Sequence, residues 1–367
     1  AAMDNAAGGG HLAVVEWLHA NRSEGCTTAA MDSAAGGNFL SVVEWLHANR
    51  SEGCTTAAMD LAAGGGFLSL VEWLHAYRTE GCTLDAMDLA AGGGHLPVAE
   101  WLHAKRSQAC TRSAMENAAG GGHLSVVEWL YANRSENDIT NMGISSDGHE
   151  FEINTPFHYA AGSGHLTVMK WLFANTASSD DRTIFLDMTT EILAAANGHL
   201  ATVEWLLHQN PHPPVEGNRF RMMNMAARGG HLAVVEWLGK NSGAGCSIYA
   251  MDWAIQRGHL SVVEWLRYNE QKGDRFCCEY IDYNPSALTI AAKSGYISTL
   301  EWLAAHDLPK QDGLIQSFHE KLFGVGDEEE DWQIYVQLRA AQEKCHLPVM
   351  KKWILSSALS HISEKYG

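Results

Sequence analysis

No apolar run in this chain approaches the roughly 18–20 residues needed to cross a bilayer, so no membrane-spanning helix is expected. Positive charge is scarce as well: 25 Lys and Arg stand against 43 Asp and Glu, a formal charge of −18. That balance repels phosphate backbones and anionic membranes, which argues against nucleic acid and favours neutral or basic partners. The motifs of the common chemistries are missing too. There is no H-E-x-x-H or C-x-x-C for zinc, and no Gly-Lys-Ser/Thr follows the glycine runs to hold a phosphate. No Ser/His/Asp elbow or kinase motif occurs. The expectation is a chain without catalytic residues, metal ligands or cofactors. No signal peptide is visible, but the chain opens as AAMDNAAGGG, inside a repeated word and without an initiator Met, so targeting is not readable from this end.

What is present is repetition. Trp17, Trp45, Trp73, Trp101 and Trp129 are each 28 residues apart; Trp171, Trp205, Trp237, Trp265 and Trp302 follow at steps of 42, 34, 32, 28 and 37. Periods of this size mark a solenoid whose units bury their faces only against their neighbours. Each unit reads as two antiparallel helices. In CTTAAMDSAAGG the first is short: Thr27 or Thr28 caps it, Met31, Ala34 and Ala35 pack, and glycine ends it. The second, HLSVVEWLHANR, carries Ser41 and Glu44 at the spacing of a capping box, repeated at Ser69/Glu72, Ser125/Glu128 and Ser261/Glu264. Leu12, Val14, Val15, Trp17 and Leu18 cover a wide arc of the helical wheel, so this helix is expected to be sandwiched, with Trp17 at the arc's edge. Pro97 fits only a first helical turn.

The stretch NTPFHYAAGSGHLTVMKWL, residues 154–172, closely resembles the ankyrin repeat. Thr155, Pro156, His158, Ala160, Ala161, Gly164, His165 and Leu166 match its T-P-L-H-x-A-A and G-H-L hallmarks. The other units keep Ala-Ala and Gly-His-Leu but lose Thr-Pro, and Asp32 stands where the motif has histidine. The resemblance covers residues 1–306. It implies an all-α, ankyrin-type helical-repeat solenoid, here with short or missing β-hairpin fingers, since 28 residues fall short of the standard 33. It also implies a structural turn histidine and protein recognition through fingers and short helices lining a concave face. Three parts are expected: residues 1–136, five short repeats, the first incomplete at its start; residues 137–306, five longer repeats with fingers; and residues 307–367, an acidic linker and a degenerate C-terminal capping repeat.

Several ladders could carry chemistry, and each is weighed against packing. Cys26, Cys54, Cys82 and Cys110 recur with the period, and Cys246 holds the same place in the eighth unit. Equivalent atoms in stacked units lie about 8–10 Å apart, too far for disulfides or a shared zinc. Buried thiols in a reducing, cytoplasmic compartment are the expectation. The carboxylates Asp4, Asp32, Asp60, Asp88 and Glu116 form no unique acid–base couple. Asp32 is expected either to accept backbone N–H groups or to pair with the ladder of Arg22, Arg50, Arg78, Arg106 and Arg134.

Recognition residues should break the repetition. Asn5, Ser33, Leu61, Leu89 and Asn117 differ at one place in the first helix while the neighbouring Met and Ala-Ala stay fixed. Packing holds its residues constant, so this place is expected on the open face, binding a partner. Two fingers add aromatic and charged anchors: Asp147, Glu150, Phe151 and Glu152 in one, Arg275, Phe276, Tyr280 and Tyr283 in the other. The acidic residues around Phe151 favour a basic partner surface. The function expected is a non-catalytic protein–protein interaction scaffold. The alternatives are the tethering portion of a larger protein whose catalytic or membrane domain is absent and, more remotely, an enzyme.

Overall fold

Thr27 begins a pattern that the following repeats copy. Its side-chain oxygen accepts the Ala29 N–H at 3.3 Å, and an inner helix runs from Thr28 to Gly36. Thr55 caps Thr56–Gly64 in the same way, and Thr111 caps Arg112–Gly120. A glycine turn then leads into the longer outer helix, such as Leu40–Asn49 or Leu68–Tyr77. The computed structural model describes residues 2–106, 111–133, 155–175, 188–209, 216–241 and 247–271, with short pieces between 290 and 303. Every regular element among them is a helix, as expected for the all-α repeat solenoid.

The chain divides into two units, residues 1–194 and 195–367. In the first, the inner helices Ala2–Gly8, Thr28–Gly36, Thr56–Gly64, Asp85–Gly92, Arg112–Gly120 and Pro156–Gly162 stack in series, each on the next. The second contains the helices Leu200–Gln209, Glu216–Gly229, Leu232–Asn241, Ile248–Gln256 and Leu260–Gln271. Met31, Ala34 and Ala35 are buried on the inner helix, and Val42, Val43 and Leu46 on the outer one. Alanine there lets neighbouring helices approach closely.

The outer helix is narrower in its buried arc than expected. Leu40 and Trp45 are only half-buried. The tryptophans are held instead by histidines of the preceding repeat. His19 meets Trp45 edge-on at 5.2 Å, and His47–Trp73, His75–Trp101 and His103–Trp129 repeat the geometry. Trp45→Ala should therefore cost about 1–3 kcal/mol in urea unfolding, below the 3–5 kcal/mol of a fully buried ring.

The capping boxes do not form at Ser41/Glu44, Ser69/Glu72 or Ser125/Glu128. The outer helices begin two residues earlier than a serine cap requires, at Leu40, Leu68 and Leu124, so the N-caps are Phe39, Phe67 and His123, with no side-chain cap bond. The serines thus fall inside the first turn. What fixes the turn is contact with the repeat before it. The ring N–H of His123 donates to Gly92 O at 2.9 Å, and His231 does the same to Ala196 O. Gly66 has φ +75°, and a Cβ there would lie 2.4 Å from His95 Nδ1. Only glycine fits. In the second repeat Asn38 takes the left-handed conformation, at φ 61°.

Candidate partner-binding surface

The inner helices are locked in register by carboxylates. Asp32 Oδ1 accepts the Thr55 N–H at 2.8 Å and Oδ2 accepts the Thr55 hydroxyl at 2.9 Å. Asp4 holds Thr27 and Asp60 holds Thr83 by the same pair of bonds. The Thr111 hydroxyl donates to Asp88, and in the second unit the Ser247 hydroxyl donates to Asn224 Oδ1 at 2.9 Å. Thr27, Thr55, Thr111 and Ser247, held in this way, are the N-caps of the next inner helices, whereas Thr83 stands just before the N-cap Leu84 and accepts the Asp85 N–H at 3.1 Å. Of the two roles expected for Asp32, the structure gives it the backbone N–H.

Two of the ladder arginines pair elsewhere. Arg50 pairs with Glu52 and Arg78 with Glu80, two residues along in the same loop. Arg50 Nη1 also donates to His19 Nδ1 at 3.4 Å, and Arg78 Nη1 to His47 Nδ1 at 3.3 Å. The hydrogen bonds from Arg50 and Arg78 hold the Glu52 and Glu80 carboxyls below their ordinary range. Their stabilisation is present above that range and is lost as pH falls through the lowered values. With these side chains about a quarter exposed, it is small.

Cys26, Cys54 and Cys82 are not joined in disulfides; Cys110 and Cys246 lie outside the described residues. Burial, and then the nearby Glu80 charge, push the Cys54 thiol up to about 11 from a usual 9.0. Two units in pKa correspond to about a hundredfold less thiolate at neutral pH. Native alkylation at Cys54 should be slower than in urea by at least that factor, read by mass spectrometry. Equal rates would show that the site is open.

With packing positions assigned, the variable row stands out. Asn5, Ser33, Leu61, Leu89 and Asn117 are all exposed, Leu61 at 45% and Leu89 at 43%. Each is flanked by a buried Met two residues before and two buried alanines after. The row is continuous across repeats, because each side chain leans over a glycine of the repeat before it. A Cβ on Gly36 would lie 3.3 Å from Leu61 Cβ, one on Gly64 3.0 Å from Leu89 Cβ, and one on Gly92 3.2 Å from Asn117 Cβ.

Extending the same register adds Tyr159, 40% exposed, in the sixth repeat. In the second unit the register falls on Met225 and Trp253, both half-buried, and on Ile290, 42% exposed. Aligning every unit on its Gly-x-Leu turn is the signal that finds them. The finger residues Asp147, Glu150, Phe151, Glu152, Arg275, Phe276, Tyr280 and Tyr283 lie outside the described residues. A concavity lined by Met3, Trp17, Leu18 and Arg22 uses the positions that later repeats press against their predecessors, so its shape is that of a stacking face. Among the described residues no group of His, Cys, Asp and Glu is placed to hold a metal ion, and no helix is long and apolar enough to cross a membrane.

Comparison with known proteins completes the description. Residues 86–183, 115–216 and 191–277 each match the family described as ankyrin repeats. No curated protein matches the chain. Among solved structures, the crystal structure of the human ASB11 ankyrin repeat domain is similar at 19% identity, covering 50% of this chain and 82% of that one, with a TM-score of 0.36. The superposition is too loose to lend this chain any of that domain's contacts.

Proposed function

We propose a partner-binding role from one premise: the chain belongs to the ankyrin-repeat family, matches to which span residues 86–277. Ankyrin repeats are generally protein–protein interaction modules. The chain acts as a non-catalytic scaffold that binds a protein through the open face of its inner helices. One observation carries this reading. In an array whose buried Met and Ala-Ala are kept from unit to unit, the place that changes is exposed: Asn5, Ser33, Leu61, Leu89 and Asn117. Stacking needs the same residue in every unit, whereas recognition needs different ones.

The short repeats of residues 1–136 supply this row. The fingers of residues 137–306 add Asp147, Glu150, Phe151 and Glu152, which suit a basic partner surface, and Arg275, Phe276, Tyr280 and Tyr283. Residues 307–367 supply an acidic linker and a degenerate C-terminal capping repeat. Cysteines outside disulfides at positions 26, 54 and 82 suit a reducing, cytoplasmic compartment.

The test places a photo-crosslinking amino acid at position 33, 89 or 151 of the full chain, in its native cells, with position 44 on an outer helix as the control. Crosslinks to one protein from the first three positions and none from 44 are expected. Crosslinks from 44 alone would move the binding surface to the outer helices.

A further inference from the structure

The second unit departs from the repeated word at a place where the departure has chemical consequences. MDSAAGGNFL, residues 31–40, corresponds letter by letter to MNMAARGGHL, residues 223–232, and to MDWAIQRGHL, residues 251–260. In the first unit a glycine such as Gly36 or Gly64 lies beneath the exposed side chain of the next repeat. Here that glycine is Arg228, and the residue of the next repeat is Trp253. The Arg228 guanidinium carbon lies 5.7 Å from the centre of the Trp253 ring, a cation–π contact. One turn earlier, Tyr249 is 54% exposed, with its ring 5.8 Å from that of Trp253 and tilted by 31°.

Nothing in the packing requires this trio. The buried positions around it, Met223, Ala226 and Ala227 on one helix and Met251, Ala254 and Ile255 on the next, already fill the core. The trio sits at the surface: Arg228 and Tyr249 are exposed and Trp253 is half-buried. Tryptophan, tyrosine and arginine are the residues that dominate binding energy at protein interfaces. An arginine stacked on an indole is already ordered, and the N–H groups along the edge of its plane remain able to take a carboxylate in two parallel hydrogen bonds.

Local charge agrees. Arg257 is exposed at the end of the same helix as Trp253, at the place of another of the repeated glycines, while Asp252 is buried. Burial lowers the pKa of His259, and Arg257 and His231 push it the same way, against the hydrogen bond His259 makes to Arg228 O. The spot is basic on a chain whose net charge is −18.

We infer that Arg228, Trp253 and Tyr249 form a docking site for an acidic peptide segment of a partner protein. An Asp or Glu of the segment accepts from Arg228, and an adjacent apolar side chain covers Tyr249 and Trp253. This rests on the partner-binding reading and names a chemistry for one part of the surface. Nucleic acid offers anions as well, but the chain's net charge opposes it.

The test selects a phage-displayed library of random peptides on the full chain and on Arg228→Glu. Arg228→Gly serves as the folding control, since it restores the residue the other repeats carry. Peptides enriched on the parent should contain Asp or Glu beside an apolar residue. Their binding should fall at least about thirtyfold in Arg228→Glu, as on losing one partner of a hydrogen-bonded charge pair, and should fall in Arg228→Gly with an unchanged melting curve. Selection on Arg228→Glu should enrich Lys or Arg instead. Peptides without carboxylates, undiminished binding to Arg228→Gly, or an empty selection would overturn the site. Peptides lost on Leu61→Ser or Leu89→Ser but not on Arg228→Gly would overturn it while leaving the partner-binding reading intact. Binding of polyuridylate that disappears in Arg228→Gly would assign the spot to nucleic acid and overturn it equally.

Discussion

Leu74→Ala lowers the unfolding free energy of the first unit by about 3–5 kcal/mol, whereas Leu61→Ala changes it by no more than about 0.5 kcal/mol. The same substitution differs so widely because the two leucines do different work. Leu74 is 1% exposed, among the largest fully buried side chains of its unit, and its counterparts Leu46 and Leu102 are buried in the repeats on either side. Truncation leaves a void that the helices close only partly, because the carboxylate staples hold their spacing. Leu61 is 45% exposed and leans over Gly36, so its loss mainly removes a surface side chain. Urea unfolding followed by far-ultraviolet circular dichroism measures both. Equal costs would mean that the exposed row is part of the packing.

Asp60→Ala should destabilise the same unit by about 2–3 kcal/mol. Asp60 is 7% exposed and accepts two bonds from Thr83, one from its N–H and one from its hydroxyl. Removing the carboxylate frees Thr83, whose hydroxyl oxygen accepts the N–H of Asp85 at the start of the next inner helix, so the loss should spread beyond one contact. A double-mutant cycle with Thr83→Ala should return a coupling of about 1–2 kcal/mol between the two side chains. Asp60→Asn should cost less than Asp60→Ala, because an amide oxygen accepts a hydroxyl donor where Asn224 meets Ser247. If Asp60→Asn and Asp60→Ala cost the same, hydrogen bonding to the carboxylate is not what holds the repeats in register.

The parts of the fold legible in the sequence are those set within one unit. Thr27 caps locally, Met31 and Ala34-Ala35 face a neighbour identical in kind, and glycine marks where the helix ends. What escaped are bonds between units. Asp32 meets Thr55, which is 23 residues away, and a wheel drawn for either helix does not bring them together. The capping boxes misled because S-x-x-E spacing has meaning only relative to a helix start, and that start lies two residues before the one the spacing implies. The exposed row was readable in the short repeats, where Ser33, Leu61 and Leu89 break an otherwise constant word. Trp253 in the second unit was not, since Arg228 becomes its neighbour only when two units of different wording are stacked.

The most direct measurement is the affinity of the crosslinked partner, by titration calorimetry, for a chain carrying Ser33→Ala, Leu61→Ala, Leu89→Ala and Asn117→Ala together. If the constant positions build the stack and the changing ones read the partner, this chain melts within a few degrees of the parent and binds at least about tenfold more weakly. Parental affinity, or weaker binding only alongside a collapsed melting transition, would contradict that division of labour.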